Sequence, residues 1–244
     1  MDWSKALTRA EFLASKHRET KDLLRFGRAV LRFQQEIYRR VRSSIRADAR
    51  RPDTSLLAAF LPDFLLLAEK YGPGTLSAQA QKLRDRQDWE EILLDCWRQT
   101  EGPLQLLPRS ILQPYVQYLS ERWHVEVGVL EEGSGSCPFC GRAPLLSIRN
   151  SCRMLVCSLC AHEWSFPEGK CPGCHEGKLV HHRRRRFPNL DVEACEACGH
   201  YLKGVDLRKD AQAFPLVDEL ASVELDAMAR DHGFVKFELN LAGQ

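Results

Sequence analysis

The chain has 244 residues, 44% hydrophobic and 28% charged, with 35 Lys/Arg against 33 Asp/Glu and a net charge of +2. This composition is ordinary for a globular protein of one large or two modest domains; it excludes a disordered chain, and it excludes a global positive field that would draw in a polyanion. The most apolar stretch, residues 56–68, is broken by Pro62 and Asp63, and Met1-Asp2-Trp3-Ser4-Lys5-Ala6 leads into no apolar export segment, so neither membrane insertion nor secretion is expected.

In chain order, everything before residue 131 reads as helix. Phe26, Val30, Phe33, Ile37 and Val41 recur at helical spacing, with Arg25, Arg28, Arg32, Arg39, Arg42 and Arg46 on other faces, which predicts a long helix over residues 21–49. Asp53-Thr54 supplies a cap for a helix running to about Lys70, and Tyr71-Gly72-Pro73-Gly74 ends it. Further helical segments are expected over residues 77–100 and 103–123; Trp89 and Trp97 with Leu93 between them mark a buried face in the first. A bundle or layered array of helices over residues 1–132 follows. The polar run Glu131-Glu132-Gly133-Ser134-Gly135-Ser136 marks a boundary, with residues 133–244 forming the second unit. There the pattern changes to short β-prone runs, residues 145–148 and 154–156. The chain closes with a helix over residues 214–231, where Leu216, Leu220, Val223 and Ala227 make an apolar stripe that His232-Gly233 stops.

Eight of the ten cysteines fall in four Cys-x-x-Cys pairs: Cys137/Cys140, Cys157/Cys160, Cys171/Cys174 and Cys195/Cys198. Sixteen residues separate the first pair from the second and twenty the third from the fourth, the spacing of four-thiolate sites. Each pair makes a tight turn that points two thiolates the same way. Pro138, Gly141, Pro172, Gly173 and Gly199 ease three of these turns, while Cys157-Ser158-Leu159-Cys160-Ala161 lacks such help. Sequential pairing gives two sites, over residues 137–160 and 171–198. Sharing the second and third pairs would leave the first and fourth to meet over a long loop.

Tetrahedral sulfur suits zinc or a single iron and disfavours calcium and magnesium; the spacing does not choose between iron and zinc. Disulfides fit poorly, since each pair closes a very short loop in a chain without an export segment. A thioredoxin-type dithiol needs one pair on a strand-to-helix turn, and the even spacing favours mononuclear sites over iron–sulfur clusters. The β-runs beside these turns suit rubredoxin-like or zinc-ribbon hairpins. Such modules have little core, so metal supplies on the order of 10 kcal/mol of folding energy per site, and chelation should unfold this half. Cys96 and Cys152 read as packing residues.

With eight thiolates filling two tetrahedra, His162, His175, His181, His182 and His200 read as surface residues or as neighbours of the sulfurs, His175 and His200 foremost. No open coordination position is left for hydrolytic chemistry, and no catalytic site is found. The run Arg183-Arg184-Arg185-Arg186 could bind phosphate, but it reads as a solvated loop or as a surface for an acidic partner. Only Phe187 adjoins it, where a single-strand-binding module would interleave several aromatics. The arginines of residues 25–46 read as a salt-bridged solvated face.

The run Cys137-Pro138-x-Cys140-Gly141-x-x-Pro144, then Cys157-x-Leu159-Cys160-x-x-Glu163-Trp164, Lys170-Cys171-x-x-Cys174, Cys195-x-x-Cys198-Gly199-x-Tyr201-Leu202-Lys203 and Val217-x-Glu219-Leu220-Ala221-Ser222 resembles the formate dehydrogenase accessory protein family. The likeness is close from Cys137 to about Gly233. Over the first half it rests on helical character and Leu61-Pro62, and that half is shorter than in many members. The tail Glu238-Leu239-Asn240-Leu241 lacks an Asn-Pro-Phe type ending.

The resemblance implies a cytoplasmic, non-catalytic assembly factor that acts on the formate dehydrogenase catalytic subunit before export. It also implies iron at Cys137, Cys140, Cys157, Cys160, Cys171, Cys174, Cys195 and Cys198, with zinc the alternative. The expected architecture is a mainly α helical domain, two tandem rubredoxin-like or zinc-ribbon modules and a C-terminal helix. Two other functions stay open: a zinc-ribbon nucleic-acid-binding protein and a rubredoxin-like electron carrier.

Overall fold

The computed structural model describes residues 1–45, 51–98, 106–122, 133–241 and 243. Helices come first: α1 (Trp3–Lys16), α2 (Lys21–Ser44), α3 (Thr54–Ala58), α4 (Leu61–Tyr71), α5 (Gly74–Arg84), α6 (Trp89–Arg98) and α7 (Leu106–Arg122). Strands β1 (Pro144–Arg149), β2 (Arg153–Cys157), β3 (Glu163–Ser165), β4 (Leu179–Arg183), β5 (Leu190–Cys195) and β6 (His200–Asp206) follow, then α8 (Pro215–Ala221), α9 (Val223–Asp231) and β7 (Val235–Lys236).

The expected stripe of α2 is its buried face: Phe26, Val30, Ile37 and Val41 are buried, and Phe33 packs on the rings of Phe60 and Phe64. The expected continuation of this helix through Arg46 to Ala49 lies outside the described residues, as do Thr100, Pro103 and Trp123 in the later segments. The helix expected from Thr54 to Lys70 is instead two. Asp53 caps α3, accepting from the backbone N–H of Ser55 at 3.1 Å and Leu56 at 3.3 Å. The ladder then stops because Pro62 has no N–H to offer, and proline is at home in the first turn of α4. Residues 77–100 likewise divide between α5 and α6, with Asp88 opening the second by accepting from Ile92 N–H.

Helix α7 carries Pro114 in its interior. Proline leaves the carbonyl four residues back, that of Ser110, without its helical donor. The buried amide of Gln34 on α2 donates to this carbonyl at 2.8 Å, so the flaw in one helix becomes the tie between two.

The strands form one seven-stranded sheet in the order β3-β2-β1-β6-β5-β4, with β7 added to β6. Each cysteine unit contributes a three-stranded antiparallel piece, and the order repeats head to tail. The pieces meet through a parallel pairing of β1 with β6, Leu146 opposite Lys203 to Arg149 opposite Asp206. The two modules therefore share a continuous sheet whose joining strand β1 is buried except at Arg149.

A buried ion network clamps this joint. From β1, Arg149 pairs with Glu193 and, at 2.7 Å, with Asp191 on β5; from β2, Arg153 reaches Glu193 at 2.6 Å. These bonds pass over β6 at Gly204. A Cβ there would lie 2.6 Å from both Asp191 Oδ1 and Glu193 Oε1, so only glycine leaves the passage open.

The C-terminal helix expected over residues 214–231 is bent at Ser222 into α8 and α9. At the bend, buried Lys203 of β6 donates to the carbonyls of Glu219 (2.6 Å) and Ser222 (3.4 Å), which within the helices accept only from the residue three positions on, Ser222 and Leu225. The main core runs without a break from α2, α4 and α7 into the sheet residues Leu155, Trp164, Phe166 and Leu202. Among the described residues no helix is long and apolar enough to cross a membrane.

Candidate metal centres

All eight paired cysteines are brought together in two clusters, Cys137/Cys140/Cys157/Cys160 and Cys171/Cys174/Cys195/Cys198, and within each every Sγ lies within 4.8 Å of the others. The pairing is sequential. In the first cluster Cys137–Cys160, Cys140–Cys157 and Cys140–Cys160 are separated by 3.5, 3.3 and 3.7 Å; in the second, Cys171–Cys198 and Cys174–Cys195 by 3.5 and 3.6 Å. A disulfide holds its sulfurs at about 2.05 Å. A tetrahedron with metal–sulfur bonds of about 2.3 Å has edges of about 3.8 Å. The clusters match the tetrahedron, and all ten cysteines are free thiols.

Hairpin geometry explains the convergence. One pair precedes the first strand of each hairpin and the other ends its second strand, so both turns sit at the same end. Pro144 lies opposite Cys157, and Leu179 opposite Cys195. In all four turns the residue after the second cysteine takes a left-handed backbone: Gly141 (φ 74°), Ala161 (53°), His175 (61°) and Gly199 (73°). Glycine does this without cost; Ala161 and His175 are held there by their surroundings. Backbone N–H groups point at sulfur, Leu159 to Cys157 at 3.4 Å, Gly173 to Cys171 at 3.3 Å and Gly177 to Cys174 at 3.4 Å.

These donors favour thiolate. The N–H groups of Glu176 and Gly177 hold the Cys174 thiol down to about 7, whereas burial pushes Cys171 up to about 12. In the first cluster burial pushes Cys157 well above the ordinary thiol range. Four thiolates cannot share so small a buried space without a cation among them. The donor set, spacing and electrostatics therefore fit a soft tetrahedral metal ion.

The surroundings of the clusters include residues the sequence did not single out. The buried Arg142 side chain donates to the Cys96 carbonyl on α6, while its own carbonyl accepts from Cys137 N–H at 2.8 Å, which fastens the first turn to the helices. Arg153 donates at 3.1 Å to the carbonyls of Pro167 and Lys170, setting the approach to Cys171. Trp164, already a motif position in the sequence, donates to the Ser134 carbonyl at 2.8 Å. The glycine after Cys174 was a readable signal for close approach: a Cβ at Gly177 would run into Cys195 Sγ. Gly177→Ala is expected to lower the metal content by one ion per chain while leaving the first cluster loaded, as read by metal analysis of the purified variant.

Of the histidines, His200 stacks on Phe237 (ring centroids 5.1 Å apart) with Nδ1 2.9 Å from the Cys198 carbonyl, and His175 packs on Phe166. Neither belongs to a sulfur cluster. His181 lies with Asp191 and Glu193. Those carboxylates are already held by Arg149 and Arg153, which occupy the place of a cation. Cys96 is buried as expected, but Cys152 is exposed, because it sits in the β1–β2 turn before the pleat begins at Arg153. Phe187, the one aromatic beside the arginine run, is buried in a core cluster with Leu190 and Val192. Arg183 pairs with Asp191, and Arg186 with Glu19 and Glu224.

Comparison with known proteins places this architecture. The family model for the FdhE C-terminal domain matches residues 170–242. The FdhE homolog of Aquifex aeolicus is 31% identical over 150 residues, 55% of this chain and 50% of that protein. The homolog of Pseudomonas aeruginosa is 29% identical over 205 residues, 75% of this chain and 66% of that protein, and that of Erwinia tasmaniensis 34% over 106 residues, 43% and 35%. The matched part thus spans about half of the Aquifex relative, a third of the Erwinia one and somewhat under two thirds of the Pseudomonas one. The crystal structure of the FdhE protein from Pseudomonas aeruginosa superposes with a TM-score of 0.70 at 24% identity, covering 98% of this chain and 95% of that one, so the fold is the same. With the cysteine turns in the register described, these matches make the chain similar to FdhE proteins, over residues 170–242 by the family model and over its whole fold by the crystal structure.

Proposed function

We propose that this protein is a cytoplasmic, non-catalytic factor for formate dehydrogenase maturation, which binds the enzyme's catalytic subunit and carries a metal ion in each four-cysteine cluster. The observation that carries the reading is the pair of four-sulfur clusters on a fold shared with an FdhE protein. In it, residues 1–132 serve as a helical docking platform and residues 133–244 as the metal-bearing part. The ligands are Cys137, Cys140, Cys157 and Cys160 in one site and Cys171, Cys174, Cys195 and Cys198 in the other. Iron is the favoured ion, and it would supply one-electron chemistry where zinc would supply structure alone. The chain's own part is to hold eight thiolates at fixed spacing and, through the N–H groups of Leu159, Gly173 and Gly177, to stabilise their charge.

Untagged protein is expected to contain two metal ions per chain, with a ferric-thiolate absorption that bleaches on reduction, and to co-purify with the formate dehydrogenase catalytic subunit. Colourless protein with two zinc ions would leave a structural role for the sites. Failure to retain the subunit under any metal loading would defeat the assembly reading. The nucleic-acid alternative predicts salt-sensitive binding through Arg183 to Arg186. The burial of Phe187 and the ion pairs of Arg183 and Arg186 count against it.

A further inference from the structure

The two sulfur clusters share one topology and sit in different environments. Three cysteines of the first, Cys137, Cys157 and Cys160, belong to the main hydrophobic core, and the fourth, Cys140, packs against it. Its second turn, residues 157–160, is buried throughout. The corresponding turn of the second cluster is open: Glu196 and Ala197 are exposed, Cys198 is part-exposed, and across the site Gly173 is exposed and Cys174 part-exposed. No cysteine of the second cluster belongs to any core cluster of the described residues. Its cover is thin, consisting of Gly177 against Cys195 and Phe237 against Gly173 and His200.

From this contrast, and resting on the metal-binding reading above, we infer that the centres have different tasks: the 137/140/157/160 site is a locked structural centre, and the 171/174/195/198 site is an exchange centre that gives up or accepts its ion through the Cys174–Cys198 edge. At that edge an incoming soft donor, such as a thiolate of a partner or a thiol chelator, reaches the ion along the exposed side. One metal–thiolate bond to Cys174 or Cys198 breaks as the bond to the incoming donor forms, with no change of oxidation state. The first site is the less open of the two: Cys140 alone is part-exposed there, its other turn is buried from Cys157 to Cys160, and freeing the ion means opening the packing of Leu159, Trp164 and Phe166 with the helices. Local opening of that kind draws on the stability of the core, whereas the second site needs only movement of surface turns.

Wild-type protein loaded with zinc, its metal content verified first, is challenged with excess chelator in the presence of a thiol-alkylating reagent, and the labelled cysteines are mapped by mass spectrometry over time. Exposed Cys152 labels at once and calibrates the reagent; buried Cys96 reports global unfolding. The expected result is loss of one ion with labelling of Cys171, Cys174, Cys195 and Cys198, about tenfold or more ahead of the second ion and of Cys137, Cys140, Cys157 and Cys160. Two ions leaving together with all eight cysteines, or the first cluster labelling first, overturns this inference and leaves metal binding standing. Fewer than two ions at the outset overturns both. Because the wild-type chain is used, a misfolded variant cannot mimic either answer.

Discussion

Replacing Cys137 and Cys157 by serine is expected to abolish cooperative unfolding of the whole chain, whereas replacing Cys171 and Cys195 should lower the midpoint and leave a cooperative transition. Each double variant should retain one metal ion, since each removes ligands from one site only. The asymmetry follows from where the sulfurs lie. Cys171 and Cys195 are as deeply buried as Cys137 and Cys157, but only Cys137 and Cys157 lie in the core shared with α2, α4 and α7. A four-thiolate site contributes an apparent energy on the order of 10 kcal/mol, comparable with the roughly 5–15 kcal/mol of net stability of a whole domain. Losing it also leaves the buried Cys160 thiol, the part-buried Cys140 thiol and two hydroxyls without an ion to satisfy them. The sequence-based expectation was that chelation would unfold the metal half as a set of modules with little core of their own. The structure moves that expectation: the first site shares its core with the helices, so its loss should reach them, while loss of the second should stay local. Circular dichroism melts of the two variants decide the point; equal destabilisation would show that the shared core does not transmit the defect.

Legibility in the sequence tracked how local each feature is. The eight cysteines and their sequential grouping could be read because metal coordination ties spacing to geometry within one hairpin. The apolar stripe of α2 was equally plain, since its period lies within a single element. Helix ends were less so. Pro62 was noted as an interruption of an apolar run, but not as a first-turn residue of a new helix, and Ser222 gave no local sign that α8 and α9 would part. At that break sits Lys203, far away in sequence, which donates to the carbonyls of Glu219 and Ser222. The β1–β6 joint was invisible for the same reason. Arg149, Arg153, Asp191 and Glu193 are individually unremarkable polar residues in short strands; only the folded sheet shows them as one buried network passing over Gly204. Tyr201, Lys203, Glu219 and Ser222 did enter the sequence reading as motif positions, and the structure supplies their physical content. Cys152 was misread because its burial depended on where the hairpin turn falls.

The second large effect is expected at Lys203. Its Nζ is wholly buried, 2.6 Å from Asp226 Oδ2 and 3.0 Å from Glu219 Oε1, and Lys236 contacts the same two carboxylates, at 2.9 Å in the case of Asp226. Tyr201 donates to Asp226 at 2.9 Å and Asn240 to Glu219 at 2.9 Å. Two cations and two anions balance. Lys203→Met leaves one carboxylate charge uncompensated in the core and removes one donor from each of two helix carbonyls, so a loss of about 3–5 kcal/mol is expected. Lys236→Met should cost less. Both ammonium groups lose hydration, but for Lys203 the attraction of Glu219 and Asp226 prevails and its pKa is raised, whereas for Lys236 burial prevails and its pKa is lowered. Adding Asp226→Asn to Lys203→Met restores charge balance and should recover part of the loss, a coupling that a double-mutant cycle in denaturant unfolding isolates. Additive costs would mean that the four charges do not act as a unit. A coupled result would have a consequence for the metal site as well. The network holds β7, and β7 pairs with His200 and Tyr201 of β6, directly after the Cys198 turn. Lys203→Met should therefore loosen Phe237 from His200 and speed loss of the ion from the Cys171/Cys174/Cys195/Cys198 site, with no matching change at the first.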